Sequence, residues 1–476
     1  MEEGRQHYGV TLALLTVAGV SFAIMQTLVI PALPFFQREF HTSAAWVTWI
    51  ATGFLLSSSV LTPILGKLGD SLGKKRMLVI ALGIFGVASL GAAAAWSLPS
   101  LVFFRVLQGA GAAVFPLSFG IIRDEFPPEK IGLGIGTVSS VFGAGGGIGL
   151  VLSGVIIEHL SWHWLFLIGA VPVLASTVML ALFVPESPVK FPTRPDYVGG
   201  FTLSLALGAL LVAISEGSNW GWTSAGVLGL LVASAALFAI WVRIEQRVPE
   251  PLVDLRTFGR REMAATNLTT LIMGFAMFST FILLPNFVQV PRGLPPDIAD
   301  QLDYGFGASP VQVGLYFIPS SVAMIIAGPL AGALGQRYGR ILPLRLGLGS
   351  LVLAVTLLAT VHDDPWTIYA WMVFMGVGLA FCFATLGTLV IDYSAPGETG
   401  VASGMNTIMR TIGASLGAQV SAAIISANTL AGTEVPVEGA FTLAFTVSAV
   451  GALLAFVPTL LLTHRPTSQP VPEPAR

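Results

Sequence analysis

Long uncharged apolar stretches recur along the whole chain, and they restrict its fold more than any other feature. A helix needs roughly 20 apolar residues to cross the hydrocarbon of a bilayer, and we count fourteen stretches of about this length. Only 10% of the 476 residues are charged and the mean hydropathy is +0.82, which excludes a water-soluble globule. Because a segment in lipid must satisfy its backbone hydrogen bonds internally, the stretches predict an all-α integral membrane protein with fourteen transmembrane helices.

The predicted helices are numbered 1 to 14 in chain order. Their bounds are 9–36, 44–65, 77–96, 99–121, 131–156, 163–184, 197–215, 223–242, 262–288, 308–334, 341–360, 365–391, 400–426 and 441–463. Trp162, Trp164, Trp220 and Trp222 fall at predicted helix ends, where amphipathic rings favour the interface between membrane and water. Their positions therefore agree with these bounds.

Basic residues are distributed unevenly between the two sides of the predicted bundle. With both termini in the cytoplasm, 19 of the 23 Lys and Arg residues fall on the inner side, two fall outside and two lie within helices. Short inner loops show this bias, so we expect a multi-pass protein of the plasma (inner) membrane. The lone Cys382 excludes an internal disulfide, and the net charge of −2 indicates no nucleic-acid partner.

The most glycine-rich stretch, VFGAGGGIGLVLSG at 141–154, falls in predicted helix 5. It lacks the preceding strand and the Lys-Ser/Thr pair of a phosphate-binding loop, so a nucleotide site is not expected. Within a membrane helix, small residues four apart let a neighbouring helix approach closely. The predicted helix-packing residues are Gly145, Gly149, Ser153 and Gly154. Static packing and a surface that slides during transport both remain open as the purpose of this stripe.

The second half of the chain repeats the first. PILGKLGDSLGKKR at 63–76 aligns with PLAGALGQRYGRIL at 329–342 at an offset of 266, and 124–136 aligns with 392–404 at an offset of 268. The same alignment places Gly413 and Gly417 opposite Gly145 and Gly149. Helices 1–6 therefore match helices 9–14. Parallel repeats of this kind occur in secondary transporters that work by alternating access, with the substrate site between the halves.

The repeat predicts two pseudo-symmetric six-helix bundles with helices 7 and 8 inserted between them as linker helices. The division is an N-terminal bundle at 1–190, the inserted helix pair at 191–245, a cytoplasmic connector at 246–261, a C-terminal bundle at 262–465 and a disordered tail at 466–476.

The connection between helices 2 and 3 combines glycines with charges, and its copy repeats the glycines. The glycines predict a tight turn, and Asp70 is expected either against the positive N-terminal end of a nearby helix or beside a basic residue. We interpret the connection as a conformational latch formed by Gly66, Gly69, Asp70, Gly73, Lys74 and Arg76. A solvated basic loop is the alternative. Gln336 replaces the acid in the copy, so the second latch is expected to be weaker.

Several stretches resemble signatures of the major facilitator superfamily, and within it of the fourteen-helix drug:proton antiporters. The superfamily's signature for the loop between helices 2 and 3 resembles GKLGDSLGKKR at 66–76. Its helix 4 signature resembles RVLQGAG at 105–111. Its antiporter signature in helix 5 resembles GGGIGLVLSG at 145–154, with Leu150 where the family usually has proline. WIATGFLL at 49–56 and SWHWLFLIGAVP at 161–172 are similar to family stretches in helices 2 and 6. The resemblance implies a secondary active transporter, not an enzyme, that exports hydrophobic or amphipathic small molecules as a multidrug-efflux antiporter.

Ionisable residues inside a bilayer are energetically unfavourable and are therefore functional candidates. Arg410 lies ten residues into helix 13, or roughly 15 Å at 1.5 Å per residue, near the membrane midplane. Arg105 lies in the outer half of helix 4, where it either satisfies carbonyl groups of adjoining helices or faces the cavity. The candidate substrate-binding or coupling residues are Arg105, Gln108, Arg410, Gln26, Met25, Asn406 and Asn267. No motif indicates a metal site, a cofactor or a hydrolase triad.

One departure from the family concerns energy coupling. Family members usually carry an aspartate in helix 1, a few residues before an Ala-Leu-Pro, and this chain has Met25 at that position. Asp124, Glu158 and Glu216 are the remaining candidate proton sites, all in loops or near helix ends. We therefore expect transport to depend weakly on protons. The expected partners are a small hydrophobic or amphipathic substrate, the lipid bilayer and, if coupling exists, protons, with the chain acting as a monomer.

Two other functions are open at this point. Two membrane arginines and an apolar wall also suit a carrier of lipids or of an anionic metabolite. A non-transporting receptor or membrane enzyme would need a large extramembrane domain or a catalytic cluster, and the sequence shows neither.

Overall fold

The computed structural model describes residues 8–42, 44–186, 196–290, 304–395, 398–430 and 435–462. The predicted domain boundary at 190/191 and the predicted tail at 466–476 lie outside these residues. Every structural statement below concerns the described part of the chain.

The described chain is built from long helices, and no strand occurs in it. The fourteen long helices are α1 (Tyr8–Thr27), α2 (Ala44–Leu72), α3 (Lys74–Ala93), α4 (Leu98–Glu125), α5 (Pro128–His159), α6 (Trp164–Phe183), α7 (Tyr197–Trp220), α8 (Ala225–Glu245), α9 (Arg261–Gln289), α10 (Pro310–Tyr338), α11 (Ile341–Thr360), α12 (Pro365–Tyr393), α13 (Thr399–Ala427) and α14 (Glu438–Leu454). A short helix, Phe456–Thr459, follows α14. Fourteen helices are long and apolar enough to cross a membrane, which confirms the predicted fold class.

The predicted end of helix 1 and the predicted loop at 66–76 are wrong for identifiable reasons. Predicted helix 1 ran to residue 36, but α1 ends at Thr27 and a separate short helix, Leu33–Glu39, follows a series of turns. Pro31 explains this break, because proline removes a backbone donor and disfavours helical geometry in the residue before it. The predicted loop at 66–76 is almost entirely helical. Only Gly73 separates α2 from α3, and its φ of 118° is readily adopted by glycine alone.

Successive helices alternate in direction, so their connections collect on two faces. We call the side with the connections at 73, 126–127, 246–260, 339–340 and 394–398 the basic face, and the other side the opposite face.

Buried apolar side chains form three clusters. Among the described residues, one cluster gathers side chains of the first half, from Leu14 to Val184, together with Ile391. A second gathers side chains of the second half, from Met263 to Leu462, together with Leu150. The third cluster contains Leu203 and Trp241 of α7 and α8, residues 252–253 of the connector, and Met405 of α13. The inserted pair and its connector therefore pack against the C-terminal part of the chain through α13.

Glycine pairs bring helices of the first and second halves together near the basic face. A Cβ on Gly66 of α2 would lie 2.5 Å from the carbonyl oxygen of Gly400 of α13, and a Cβ on Gly332 of α10 would lie 2.3 Å from that of Gly132 of α5. The two pairs are counterparts under the sequence repeat. Because a Cβ at these distances would overlap the facing backbone, only glycine allows the helices to approach so closely.

The helix pairs α2–α13 and α5–α10 are packed differently toward the opposite face. There α5 and α10 remain in contact, since a Cβ on Gly154 would lie 3.0 Å from the backbone nitrogen of Val311. On the other side of the bundle, α7 links α2 to α13. The hydroxyl of Ser215 in α7 lies 3.2 Å from that of Thr52 in α2, and its carbonyl accepts a 3.1 Å hydrogen bond from Gln419 in α13. The inserted pair therefore breaks the symmetry of the two halves at this level.

Candidate functional site

Asp70 connects the two halves at the basic face. Its carboxylate is buried and accepts hydrogen bonds from the backbone N–H groups of Gly400 (2.9 Å) and Val401 (3.4 Å). N–H groups in the first turn of a helix have no partner within that helix, and the positive end of the helix favours an anion. An acid at the end of α2 therefore contacts the start of α13.

Lys74 joins Asp70 to a second acid within the first half. Its Nζ lies 3.5 Å from Asp70 Oδ1 and donates a 2.8 Å hydrogen bond to Asp124 Oδ2. Lys74 is only 2% exposed, so its ammonium group is shielded from water. The two carboxylates compensate this burial. The network runs from α4 through α3 and α2 to α13.

Glu186 contacts the same region, and the sequence analysis did not identify it as a candidate. Its two carboxylate oxygens accept hydrogen bonds from the backbone N–H groups of Lys75 (3.1 Å) and Arg76 (3.0 Å), at the start of α3. A Cβ on Gly73 would lie 2.6 Å from the Glu186 carboxyl carbon, so this glycine gives the acid room. Gly69 faces Leu117 of α4 at a hypothetical Cβ distance of 2.3 Å. These two glycines thus serve packing within the first half.

The copy of this network in the second half keeps the ion pair and changes the contact between halves. Arg340 pairs with Asp392, in the positions that correspond to Lys74 and Asp124. Gln336, which stands where Asp70 would, donates a 2.6 Å hydrogen bond to the backbone carbonyl of Glu129 near the start of α5. The contact between halves at this position is therefore made by a neutral amide, whereas Asp70 makes the corresponding contact with a carboxylate.

The glycine stripe of α5 faces α1 within the same half. A Cβ on Gly145 would lie 2.5 Å from the Cβ of Ala23, and one on Gly149 would lie 2.7 Å from the carbonyl oxygen of Ile24. Ser153, one turn further along, is fully buried. These residues pack helices of one half, so the α5 surface that meets α10 is formed by other residues, Gly154 among them.

Gly413 and Gly417 pack α13 closely against α9, as Gly145 and Gly149 pack α5 against α1. Their hypothetical Cβ atoms would lie 1.9 Å and 2.2 Å from carbonyl oxygens of α9. The helix that corresponds to α1 is α9, so the alignment of the two halves extends to this packing.

A cavity lies where α4 and α5 face α9, α12 and α13. Its polar lining consists of Ser139, Thr270, Ser403, Asn406, Thr407 and Arg410, and its apolar lining of Phe115, Phe119, Met273, Phe383, Leu386, Gly387 and Val390. Aromatic rings cover the side formed by α4, and most polar groups come from α13. None of the described residues that line the cavity is acidic.

Arg410 and Asn406 lie one helical turn apart on the α13 wall of this cavity. The Arg410 guanidinium carbon is 5.2 Å from the centre of the Phe383 ring, within reach of a cation–π contact. Asn406 Nδ2 donates to Asn267 Oδ1 (2.9 Å) and to Thr270 Oγ1 (2.8 Å). These bonds fix the amide of Asn406 and tie α13 to α9 beside the cation.

Two buried serine hydroxyls in the cavity are available for a ligand. Ser139 of α5 and Ser403 of α13 are 3% and 6% exposed, and neither hydroxyl has a hydrogen-bond partner among the described residues. Buried polar groups are normally hydrogen-bonded, so water or a substrate is expected to complete them. The two serines come from different halves of the chain. The sequence analysis named neither of them.

Arg105 and Gln108 lie inside the first half, away from the cavity lining. The Arg105 guanidinium donates to the Ile50 carbonyl (3.0 Å) and to Gln108 Oε1 (2.8 Å), and it lies 4.3 Å from the centre of the Phe54 ring. Gln108 donates a 2.7 Å hydrogen bond to the hydroxyl of Ser89. The guanidinium is thus satisfied by a carbonyl group of the adjoining helix α2 and by Gln108 of its own helix, which corresponds to the first of the two alternatives considered above.

Met25 and Gln26 also lie outside the cavity lining. Met25 is 1% exposed and packs against Gly169 of α6, whose hypothetical Cβ would lie 2.0 Å from Met25 Cγ. Gln26, its neighbour, is half-buried. The position where the family usually carries an acid is therefore part of the apolar core of the first half.

The three candidate proton sites have different environments. Asp124 belongs to the Lys74 network, and Glu158 is exposed at the opposite-face end of α5. Glu216 is 2% exposed in α7, next to the serine that links α2 and α13. Glu216 is therefore the one of the three that is both buried and adjacent to a contact between helices of the two halves.

Comparisons with known proteins agree with this architecture. The sequence profile described as the Major Facilitator Superfamily matches residues 15–196, 197–418 and 294–476. The Tetracenomycin C resistance and export protein of Streptomyces glaucescens is 30% identical over 400 residues, covering 83% of this chain and 72% of that protein. Multidrug resistance protein 3 of Bacillus subtilis (strain 168) is 27% identical over 366 residues, covering 75% and 68%.

One solved structure shares the fold. The crystal structure of the human organic anion transporter MFSD10 (TETRAN) matches 96% of this chain and 100% of its own, with a TM-score of 0.66 and 14% sequence identity. The described residues include fourteen helices long and apolar enough to cross a membrane, and the family profile matches nearly the whole chain. The chain therefore belongs to the major facilitator superfamily of membrane transporters.

Proposed function

We propose that the chain is a secondary active transporter that exports amphipathic small molecules by alternating access. The substrate carries an aromatic or aliphatic body and an anionic or strongly hydrogen-bond-accepting group. The protein acts as a monomer in the plasma membrane, with the basic face toward the cytoplasm, and the six-helix bundles move around the inserted helix pair.

The cavity carries this proposal. It places Arg410 on a wall with Ser403 and Asn406, opposite the rings of Phe115 and Phe119. Ligand sites are mostly apolar with a few polar groups that fix orientation. A guanidinium remains charged at any physiological pH and prefers planar acceptors such as carboxylates. An amphipathic anion satisfies both walls, whereas a cation would be repelled by Arg410.

The contacts at the basic face support an alternating-access cycle. Asp70 and Gly66 of the first half meet Gly400 of the second half, and both contacts would be broken if the basic-face ends of α2 and α13 separated. A contact made in one conformation and absent in the other biases the equilibrium between them. The latch therefore favours the state in which the basic face is closed.

The names of the relatives support export. One is called a resistance and export protein for tetracenomycin C and another a multidrug resistance protein. We extend the export of small molecules from these proteins to this chain.

A carrier of lipids or of an anionic metabolite is the second candidate. Arg410 and the absence of acids from the described cavity lining favour it over a drug:proton antiporter. The two proposals differ in the ligand. A lipid or a small metabolite would compete with an aromatic amphiphile for the cavity only if the second proposal is correct.

Thermal unfolding of the purified protein tests the proposal with matched ligands. We expect an aromatic carboxylate to raise the unfolding midpoint more than its methyl ester, because a ligand that binds the folded state stabilises it. The preference should disappear in Arg410→Ala and persist in Arg345→Ala, an arginine that hydrogen-bonds Thr459 outside the cavity. An equal shift for the acid and the ester would remove Arg410 from the substrate site, and a shift with phospholipid alone would favour the second candidate.

A further inference from the structure

A cluster of potential metal ligands lies on the opposite face, and none of its residues lines the cavity. His362 in the α11–α12 connection is 6% exposed, and its Nε2 lies 2.8 Å from Oε1 of Glu438, the first residue of α14. Asp363 adds a second carboxylate, and one ligand atom from each of the three residues lies within 4.8 Å of the others.

The hydrogen bonding of His362 fixes which ring nitrogen faces the carboxylates. Nδ1 lies 2.8 Å from the backbone carbonyl oxygen of Leu358. A carbonyl oxygen only accepts hydrogen bonds, so Nδ1 carries the hydrogen. In a neutral ring Nε2 then bears a lone pair, and this lone pair faces the Glu438 carboxylate. Two acceptor atoms 2.8 Å apart need a shared hydrogen or a metal cation between them.

The geometry suits a zinc-type cation. Zinc binds histidine nitrogen at about 2.0–2.1 Å and carboxylate oxygen at about 2.0–2.2 Å, so two ligands at a tetrahedral angle lie roughly 3.3 Å apart. The 2.8 Å between Nε2 and Oε1 needs only a small side-chain adjustment to reach this separation. Metal-bound histidines also commonly donate their other N–H to a backbone carbonyl, which is the arrangement that Leu358 provides.

The surroundings give the cluster one apolar side and one open side. The Phe287 ring meets the imidazole at 4.9 Å between centroids and an angle of 77°, and Tyr304 and Phe441 pack on Phe287. The Glu438 side chain is 42% exposed, which leaves a route for an ion from solvent.

We propose that His362, Asp363 and Glu438 bind a divalent transition-metal cation of the zinc class, with water completing its coordination. Histidine nitrogen together with carboxylate oxygen suits zinc and related ions better than magnesium, which prefers oxygen ligands. The bound ion ties the α11–α12 connection to the start of α14 and braces the second half at the opposite face.

Calorimetric titration of the full chain with ZnCl₂ at pH 7.5, after removal of any purification tag, tests the proposal. We expect one zinc ion per chain and a raised unfolding midpoint, with little response to MgCl₂. His362→Asn keeps a donor for the Leu358 carbonyl but lacks Nε2, so it should fold and bind zinc at least about tenfold more weakly. Glu438→Gln should weaken zinc binding similarly.

The matched control is His159→Asn, which removes an exposed histidine on the same face. Its zinc affinity should equal that of the unmodified chain. Zinc binding that is unchanged in His362→Asn, or no saturable binding at all, would overturn the proposal and leave the contact as a hydrogen bond between His362 and Glu438.

Discussion

Replacing Asp70 by asparagine tests whether the contact between α2 and α13 controls the conformational equilibrium. The side-chain amide of Asp70→Asn can still accept hydrogen bonds from Gly400 and Val401, but without charge. Hydrogen bonds to charged groups contribute about 1.5–3 kcal/mol and neutral ones about 0.5–1.5 kcal/mol, and an anion at a helix N-terminus contributes about 0.3–1 kcal/mol. The ion pair with Lys74 lies within one half, so separation of the two halves does not by itself break it. The expected loss is about 1–2 kcal/mol, or roughly a 5- to 30-fold shift toward the state with an open basic face.

A buried cysteine reports this shift. Val401 is 3% exposed at the contact, so Val401→Cys in a Cys382→Ser background should react with a thiol reagent only when the basic face opens. Asp70→Asn should raise its labelling rate roughly 5- to 30-fold. Asp254 caps the start of the short helix Leu255–Phe258 in the connector on the same face. Asp254→Asn removes the same charge there and should leave the labelling rate unchanged. A change below about twofold in Asp70→Asn, with the protein still folded, would refute the reasoning.

Three further predictions separate closure of the basic face, packing within one half and coupling to protons. Gly66→Ala places a Cβ 2.5 Å from a carbonyl oxygen of the other half, so it should increase the same cysteine labelling while the unfolding midpoint changes little. Gly149→Leu overlaps α1 in the same half and should destabilise the fold by about 1–3 kcal/mol in thermal unfolding without changing the labelling rate. In proteoliposomes an imposed pH gradient should change flux by less than about twofold, because no described cavity residue is acidic. Strict dependence that disappears in Glu216→Gln, but not in Glu158→Gln, would place the coupling acid in α7 and contradict this expectation.

The helices were predictable because lipid imposes a single requirement on every spanning segment. Length and apolar composition gave all fourteen, whereas the end of α1 was missed because Pro31 lies within an otherwise apolar run. The glycines at 66 and 69 looked like turn residues from their spacing. Whether a glycine turns the chain or admits another helix depends on what faces it, and the facing residues Gly400 and Leu117 are distant in sequence.

The cavity could be predicted only in part. Arg410 and Asn406 were recognisable because charged and amide groups are rare inside a membrane. Ser139 and Ser403 carried no signal, since a helical serine commonly bonds to a carbonyl of its own preceding turn, as Ser59 does with Leu55. Arg105 had the same sequence signal as Arg410, and only the packing of Ile50 and Phe54 around it shows that it lies within the first half.

Flux of an aromatic carboxylate into proteoliposomes, compared between the unmodified chain and its Arg410 variants, tests the central claim most directly. The account predicts saturable flux that falls at least about tenfold in Arg410→Ala, falls less in Arg410→Lys because the charge is kept without the planar fork, and is unchanged in Arg345→Ala. Flux in Arg410→Ala equal to that of the unmodified chain would contradict the proposal that this cavity binds an anionic amphipathic substrate.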